Sequence, residues 1–128
     1  MALSIKVQPA VDPRYQGVVR VELDGSLDAV TSPELERELE PVLNGDATHI
    51  VFDLARLKFI SSAGLRVFGI VRKRMKAREG EASFVNMQPQ IEEVFAIVKA
   101  LPGLSVFANV AELDRYLAAR QRKHGAEQ

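Results

Sequence analysis

"HIVFDLARLKFISSAGLRVF", residues 49–68, sets a strand-like run, two serines, a glycine and a helix-like run end to end. His49 to Leu54 is almost continuously apolar, the pattern of a strand covered on both faces. From about residue 63 to residue 78 the period changes. Gly64, Phe68, Val71 and Met75 share one helical stripe, and Arg72, Lys73, Arg74, Lys76 and Arg78 crowd the last turns. That basic cluster reads as a solvated face favoured by the helix dipole, in preference to a nucleic-acid patch. Ser61 and Ser62 then lie where the C-terminal end of a strand meets a helix N-terminus. Ligands of open α/β sheets are met at that edge. Serine there serves as an N-cap. It also offers an accessible hydroxyl beside unpaired N–H groups and a dipole that favours negative charge.

Working outward, Leu3, Ile5 and Val7 alternate with Ser4, Lys6 and Gln8, which predicts a strand with one buried face. Residues 18–23 are β-rich and pair with it as a hairpin, which "DGSLD" (24–28) breaks. Ser32 and Pro33 start a helix, with proline at the first helical position and Leu35, Leu39, Val42 and Leu43 on one face. Strand 82–87 follows, then a helix opened by Pro89 with Ile91, Val94, Phe95 and Val98 inward and Pro102-Gly103 as its stop. Residues 104–107 read as a short last strand. Asn109 and Glu112 have capping-box spacing and open a final helix with Leu113, Tyr116 and Leu117 inward, fraying over "RQRKHGAEQ" (120–128). The order β-β-α-β-α-β-α-β-α implies an α/β fold with a largely parallel sheet and one antiparallel hairpin. The runs 49–54 and 82–87 are expected to be parallel neighbours, with neither at the outer edge.

A chain of 128 residues fits one domain. Seventeen Lys+Arg balance seventeen Asp+Glu, which argues against a nucleic-acid binder driven by bulk charge. There is no cysteine, and His49 and His124 share no ligand spacing, so neither a metal centre nor a cofactor is expected. The N-terminus lacks a basic segment followed by an apolar run, and no stretch is long enough to span a bilayer, so the expected location is the cytoplasm, without membrane insertion. The phosphate-cradling glycine loops are missing, and "SSAG" is not the nucleophile elbow G-x-S-x-G. Asp24, Asp28 and Asp53 gather near strand ends but lack the lysine and first-strand acids of a phospho-accepting pocket. The expectation is a binding protein and not an enzyme.

The segments "GSLD" (25–28), "FDL" (52–54), "FISSAGL" (59–65) and "VN" (85–86), in that order and spacing, resemble the STAS family, the anti-sigma factor antagonists and their relatives. The resemblance runs from about residue 3 to residue 118, with a domain expected over 1–120 and a polar tail over 121–128. It implies a mixed sheet of about four or five strands flanked by about four helices. It also implies a switch: an anti-sigma factor that is a serine kinase modifies a serine at the start of the second helix, and a serine phosphatase reverses this. Ser62, with Ser61 as runner-up, is the phosphoacceptor that this implies. Ser62 is expected to point to solvent and Ser61 to turn back into the loop. The implied partner-binding surface comprises Ser26, Asp28, Phe59, Ser61, Ser62, Ala63, Gly64, Leu65 and Arg66. In the family the modified residue immediately precedes glycine, and here Ala63, with no hydroxyl, holds that place. The alternative is therefore a STAS scaffold that is not phosphorylated, or the small cytoplasmic subunit of a lipid transporter.

Overall fold

A computed structural model of the chain describes residues 2–9, 17–100 and 109–126. The alternating opening segment forms β1 (Leu3–Pro9), which pairs antiparallel with β2 (Val18–Leu27) from Leu3↔Gly25 to Pro9↔Val19. β2 pairs parallel with β3 (His49–Ile60), and β3 parallel with β4 (Glu81–Val85), giving a four-stranded sheet in the order β1-β2-β3-β4. The helices are α1 (Ser32–Leu43), α2 (Ser62–Ala77), α3 (Pro89–Ala100) and α4 (Val110–Ala126). The crossovers through α1 and α2 step in the same direction, so the right-handed rule puts both helices on one face, where they pack together. Their apolar stripes, Leu35, Leu39 and Leu43 on α1 and Val67, Phe68, Val71 and Met75 on α2, are buried there with Val21, Leu23, Ile50, Phe52 and Leu54 of the sheet. Phe52, Phe68, Phe84 and Phe95 form one ring cluster, with centroids 4.8–6.1 Å apart, that joins β3, α2, β4 and α3.

The parallel pairing of the two expected strands is present, but several expectations need correction. β3 is not covered on both faces: it alternates, with Ile50, Phe52 and Leu54 buried and His49, Val51 and Asp53 half-buried. β4 is the outer strand of the described sheet, and the segments 102–103 and 104–107 lie outside the described residues. "DGSL" bends β2 without ending it. The register shifts at Glu22/Asp24 and Gly25/Ser26, and Gly25 (φ 122°) brings its backbone so near Ala2 that a Cβ would stand 2.3 Å from the carbonyl oxygen. β4 stops at Val85 because Asn86 takes a left-handed φ of 60°. Thr31 is the N-cap of α1, which makes Pro33 its second residue. Tyr116 is 41% exposed and not inward. α4 does not fray at 121: Gln121 is 5% exposed and the helix runs to Ala126. Two residues of the basic cluster are also not simply solvated. Arg74 donates to the Leu43 carbonyl and the Asn44 side chain, and Arg78 to the carbonyls of Leu43, Gly45 and Ala47, so both close the C-terminal end of α1.

The open face carries one well-knit polar group. Asp53 Oδ1 accepts the Ala55 N–H at 3.0 Å and the Asn86 amide at 3.2 Å, while Oδ2 pairs with the Arg20 guanidinium. Partial burial pushes the Asp53 carboxyl up, but the Ala55 N–H, the Asn86 amide and Arg20 outweigh it and hold it below the usual range. A carboxyl lowered by folding adds stability above its unfolded value and loses it as pH falls through the folded one. Asp53→Asn should therefore lower the urea midpoint at pH 7, and the gap to the parent should shrink below about pH 4. Midpoints measured from pH 7 to pH 2 check this, and a gap that does not change with pH would contradict it.

Candidate functional site

The turn from β2 into α1 is organised by one carboxylate. Asp28 Oδ1 accepts the N–H groups of Val30 and Thr31, each at 3.0 Å, and the Thr31 hydroxyl lies 3.2 Å away. The Thr31 hydroxyl donates to the Ser26 carbonyl at 2.8 Å and accepts the Asp28 N–H at 2.9 Å. Aspartate favours such local turns because its short side chain reaches backbone two or three residues on. The carboxylate predicted to meet a partner is thus engaged in its own loop. Replacing it perturbs the start of α1 before it perturbs a surface. Between the tethered residues Val30 projects outward, 76% exposed.

The second loop, from β3 into α2, lies directly beside the first. Ser61 N–H donates to the Leu27 carbonyl at 2.9 Å, and Ser26 and Leu27 stand in register with Phe59 and Ile60. Gly64 lets α2 start directly against both strand ends: a Cβ there would come within 2.7 Å of Leu27 Cγ and 2.9 Å of Ile60 Cγ1. Ser61 is the N-cap by backbone geometry (φ −103°, ψ 176°), yet its side chain makes no capping bond. It is 8% exposed, and its hydroxyl has no hydrogen-bond partner among the described residues, so it does not turn back onto the loop as expected. Ser62 does not point freely to solvent either. Asp114 of α4 reaches across: its Oδ1 accepts the Ser62 N–H at 2.8 Å and its Oδ2 the Ser62 hydroxyl at 3.0 Å. A carboxylate from a distant helix thereby satisfies an N–H at the start of α2 and complements the dipole.

Below this loop β3 outruns β4, whose last pair is Asp53↔Val85. Three glutamines serve the projecting segment. Gln88 donates to the Ala55 carbonyl at 2.8 Å and Gln90 to that of Lys58 at 3.2 Å. Gln121 both accepts the Ile60 N–H at 2.9 Å and donates to the Ile60 carbonyl at 2.8 Å. Of the residues expected on one surface, Ser26 (2% exposed), Ser61 and Gly64 are buried. Asp28, Phe59, Ser62, Ala63 and Leu65 are half-buried, and Arg66 is exposed, 3.4 Å from Glu36 of α1. Val30, Glu36 and Asp114 went unpredicted. Val30 had a signal, an apolar residue between the turn-forming Asp28 and the helix start at Ser32-Pro33, whereas Asp114 lies 52 residues from its partner and had none.

His49 is at the other end of β3, where Nε2 is 2.8 Å from the Ser83 hydroxyl, so it does not serve the serines; the His124 side chain lies outside the described residues. Among the described residues no cluster of three or more His, Cys, Asp or Glu could hold a metal, and no helix is long and apolar enough to cross a membrane.

A sequence model described as the STAS domain matches residues 10–113. BtrV of Bordetella bronchiseptica, provisionally assigned as an anti-sigma factor antagonist, is 34% identical over 84 residues, 66% of this chain and 72% of that protein. The anti-sigma-F factor antagonist RsfB of Mycobacterium tuberculosis is 26% identical over 61 residues, 48% of this chain and 50% of its own. Among solved structures, the unphosphorylated anti-sigma factor antagonist SpoIIAA superposes with a TM-score of 0.62 at 20% identity, over 73% of this chain and 83% of that one. The phosphorylated Bacillus SpoIIAA gives 0.61 at 21%, over 74% and 83%. At those identities the structural likeness is one of fold.

The geometry separates two serines that the sequence presents as alternative caps. Ser61→Ala removes a buried hydroxyl without a partner and should change stability by less than about 0.5 kcal/mol. Asp114→Ala removes the bonds at the start of α2 and should cost about 1–2 kcal/mol. Denaturant titration of both variants tests the assignment. A loss of about 1 kcal/mol in Ser61→Ala would restore Ser61 as the cap.

Proposed function

This chain belongs to the STAS domain family, and from that premise we propose that it is an anti-sigma factor antagonist. It binds an anti-sigma factor that is also a serine kinase, through a surface made by the β2–α1 turn and the start of α2. Phosphate on Ser62 breaks the complex, and a serine phosphatase restores it. The observation that carries the reading is the meeting of two loops at one end of the sheet. Exposed Val30 lies on one of them, and half-buried Ser62 and exposed Arg66 lie at the start of α2 that follows the other. The antagonists named among its sequence relatives support the same reading. Between the serines the structure favours Ser62, because Ser61 is 8% exposed and closed in by the packing beneath it. Val30 and Leu65 supply apolar area and Arg66 a charge, while Ser26 and Gly64 support the surface from below. An interface of ordinary size, about 800 Å² per side, covers both loops. Binding requires these groups to be desolvated, and a phosphate of roughly −1.5 to −2 charges in their midst blocks the partner. The regulator acts in the cytoplasm and needs no cofactor.

Ala63 favours a second reading. The position that carries the hydroxyl in the family pattern has none, which fits a scaffold that binds without being switched. Incubation with the cognate kinase and ATP, followed by mass spectrometry, decides between them, with Ser61→Ala and Ser62→Ala as controls. Phosphate is expected in the parent and in Ser61→Ala and not in Ser62→Ala. Phosphate on neither serine, with binding intact, would make the protein a constitutive binding module. Arg66→Glu should weaken the anti-sigma factor complex about tenfold while leaving the thermal midpoint nearly unchanged. Unchanged affinity would place the surface elsewhere.

A further inference from the structure

Asp114 stands where a phosphate on Ser62 has to go. Its two oxygens take the Ser62 N–H at 2.8 Å and the Ser62 hydroxyl at 3.0 Å. Esterification removes the second bond outright, since Oγ then carries no proton. The N–H at the start of α2 becomes the nearest backbone donor for a phosphate oxygen. Two anions would be competing for one donor within a few ångströms, where like charges repel. The phosphate is tethered to the serine, and the carboxylate is not.

We propose that phosphorylation of Ser62 exchanges one anion for the other at the start of α2, expelling Asp114 and freeing the first turn of α4. This rests on the reading of Ser62 as the phosphoacceptor. In the transfer, the bond from the γ-phosphorus of ATP to its bridging oxygen breaks as the Ser62 Oγ–P bond forms. ADP leaves with the electron pair, and the hydroxyl proton, until then donated to Asp114, goes to solvent. The release is confined to the start of the helix. Further along, Leu117 is fully buried, Gln121 holds both backbone groups of Ile60, and Arg120 pairs with Glu93. What is uncovered is Leu113, 6% exposed in the latched form, beside Val110 and Tyr116, which are already exposed. The modified protein thus differs from the unmodified one in shape at α4 as well as in charge at α2.

Hydrogen exchange read by mass spectrometry on the full chain tests this, with phosphoserine installed at position 62 by genetic-code expansion so that no kinase is needed. Backbone amides of residues 112–116 should exchange about tenfold faster in the phosphorylated chain than in the unmodified one. Asp114→Ala should loosen the same amides without phosphate. Asp114→Asn keeps the side-chain shape and offers an amide that donates to a phosphate oxygen, so phosphate should then change exchange by less than about twofold. Exchange that phosphate leaves unaltered in the parent chain, or that it speeds equally in Asp114→Asn, overturns the anion exchange. If the cognate kinase never modifies Ser62 while installed phosphate still frees α4, the latch stands and the proposed switch falls.

Discussion

No side-chain carbon fits between α2 and the sheet at residue 64, and the arrangement of the whole functional end follows from that. Gly64 lets the helix settle directly on Leu27 and Ile60, at the tips of β2 and β3, where the parallel ladder ends with the Ser61 N–H on the Leu27 carbonyl. The same approach buries Ser61 and leaves the next residue half-buried against Asp114. A larger residue at 64 would wedge the helix off the sheet and separate the loops, since well-packed interiors absorb extra volume only by shifting backbone. Side-chain identity within the loops matters only after this approach has been made.

The helix ends show how far local sequence governs such a structure. Neither Thr31 nor Ser61, the N-caps of α1 and α2, makes a side-chain capping bond. Other elements close these helices. Asp114 of α4 serves the beginning of α2, and Arg74 and Arg78 of α2 serve the end of α1. A chain with no formal net charge spends many of its charges internally in this way, with Arg20 on Asp53 and Arg120 on Glu93 as further cases. The start of α2 and the end of α1 are then held only in the folded context, which couples those elements to tertiary packing, whereas Asp28 and Asn109 close the starts of α1 and α4 from within their own loops.

This explains which parts of the architecture could be read from the chain. β1 and the inward stripes of α1 and α2 were readable because apolar periodicity reflects one partner face and is local. Of the anchors "GSLD", "FDL" and "VN", only the Asp28 turn has a local cause; Gly25 bends against Ala2, and Asp53 meets a left-handed Asn86 from the next strand. β3 misled because alternation with valine at 51 looks like an unbroken apolar run, and the carboxylate within it, Asp53, is tolerated half-buried through partners on β2 and just after β4. Tyr116 misled because an amphipathic ring satisfies the periodicity while facing outward. At the site, the position of the serine loop was predictable and its occupancy was not. A bond between residues 52 apart depends on where α4 lies, and nothing within a few residues of Ser62 encodes that.

The glutamines beneath the serine loop carry a mechanical consequence. Beyond its last pair with Val85 the strand that leads to the serines keeps its ladder to β2 on one edge and is propped on the other by Gln88, Gln90 and Gln121. A neighbouring strand stiffens a sheet through a repeating ladder that must be gained or lost as a whole. Props made of single uncharged side chains do not form such a ladder: Gln88 and Gln90 are bonded to each other at 2.8 Å, Gln121 acts from α4, and each can be shortened or removed by one substitution. The compliance of that edge is therefore adjustable in small steps while the ladder to β2 stays the same.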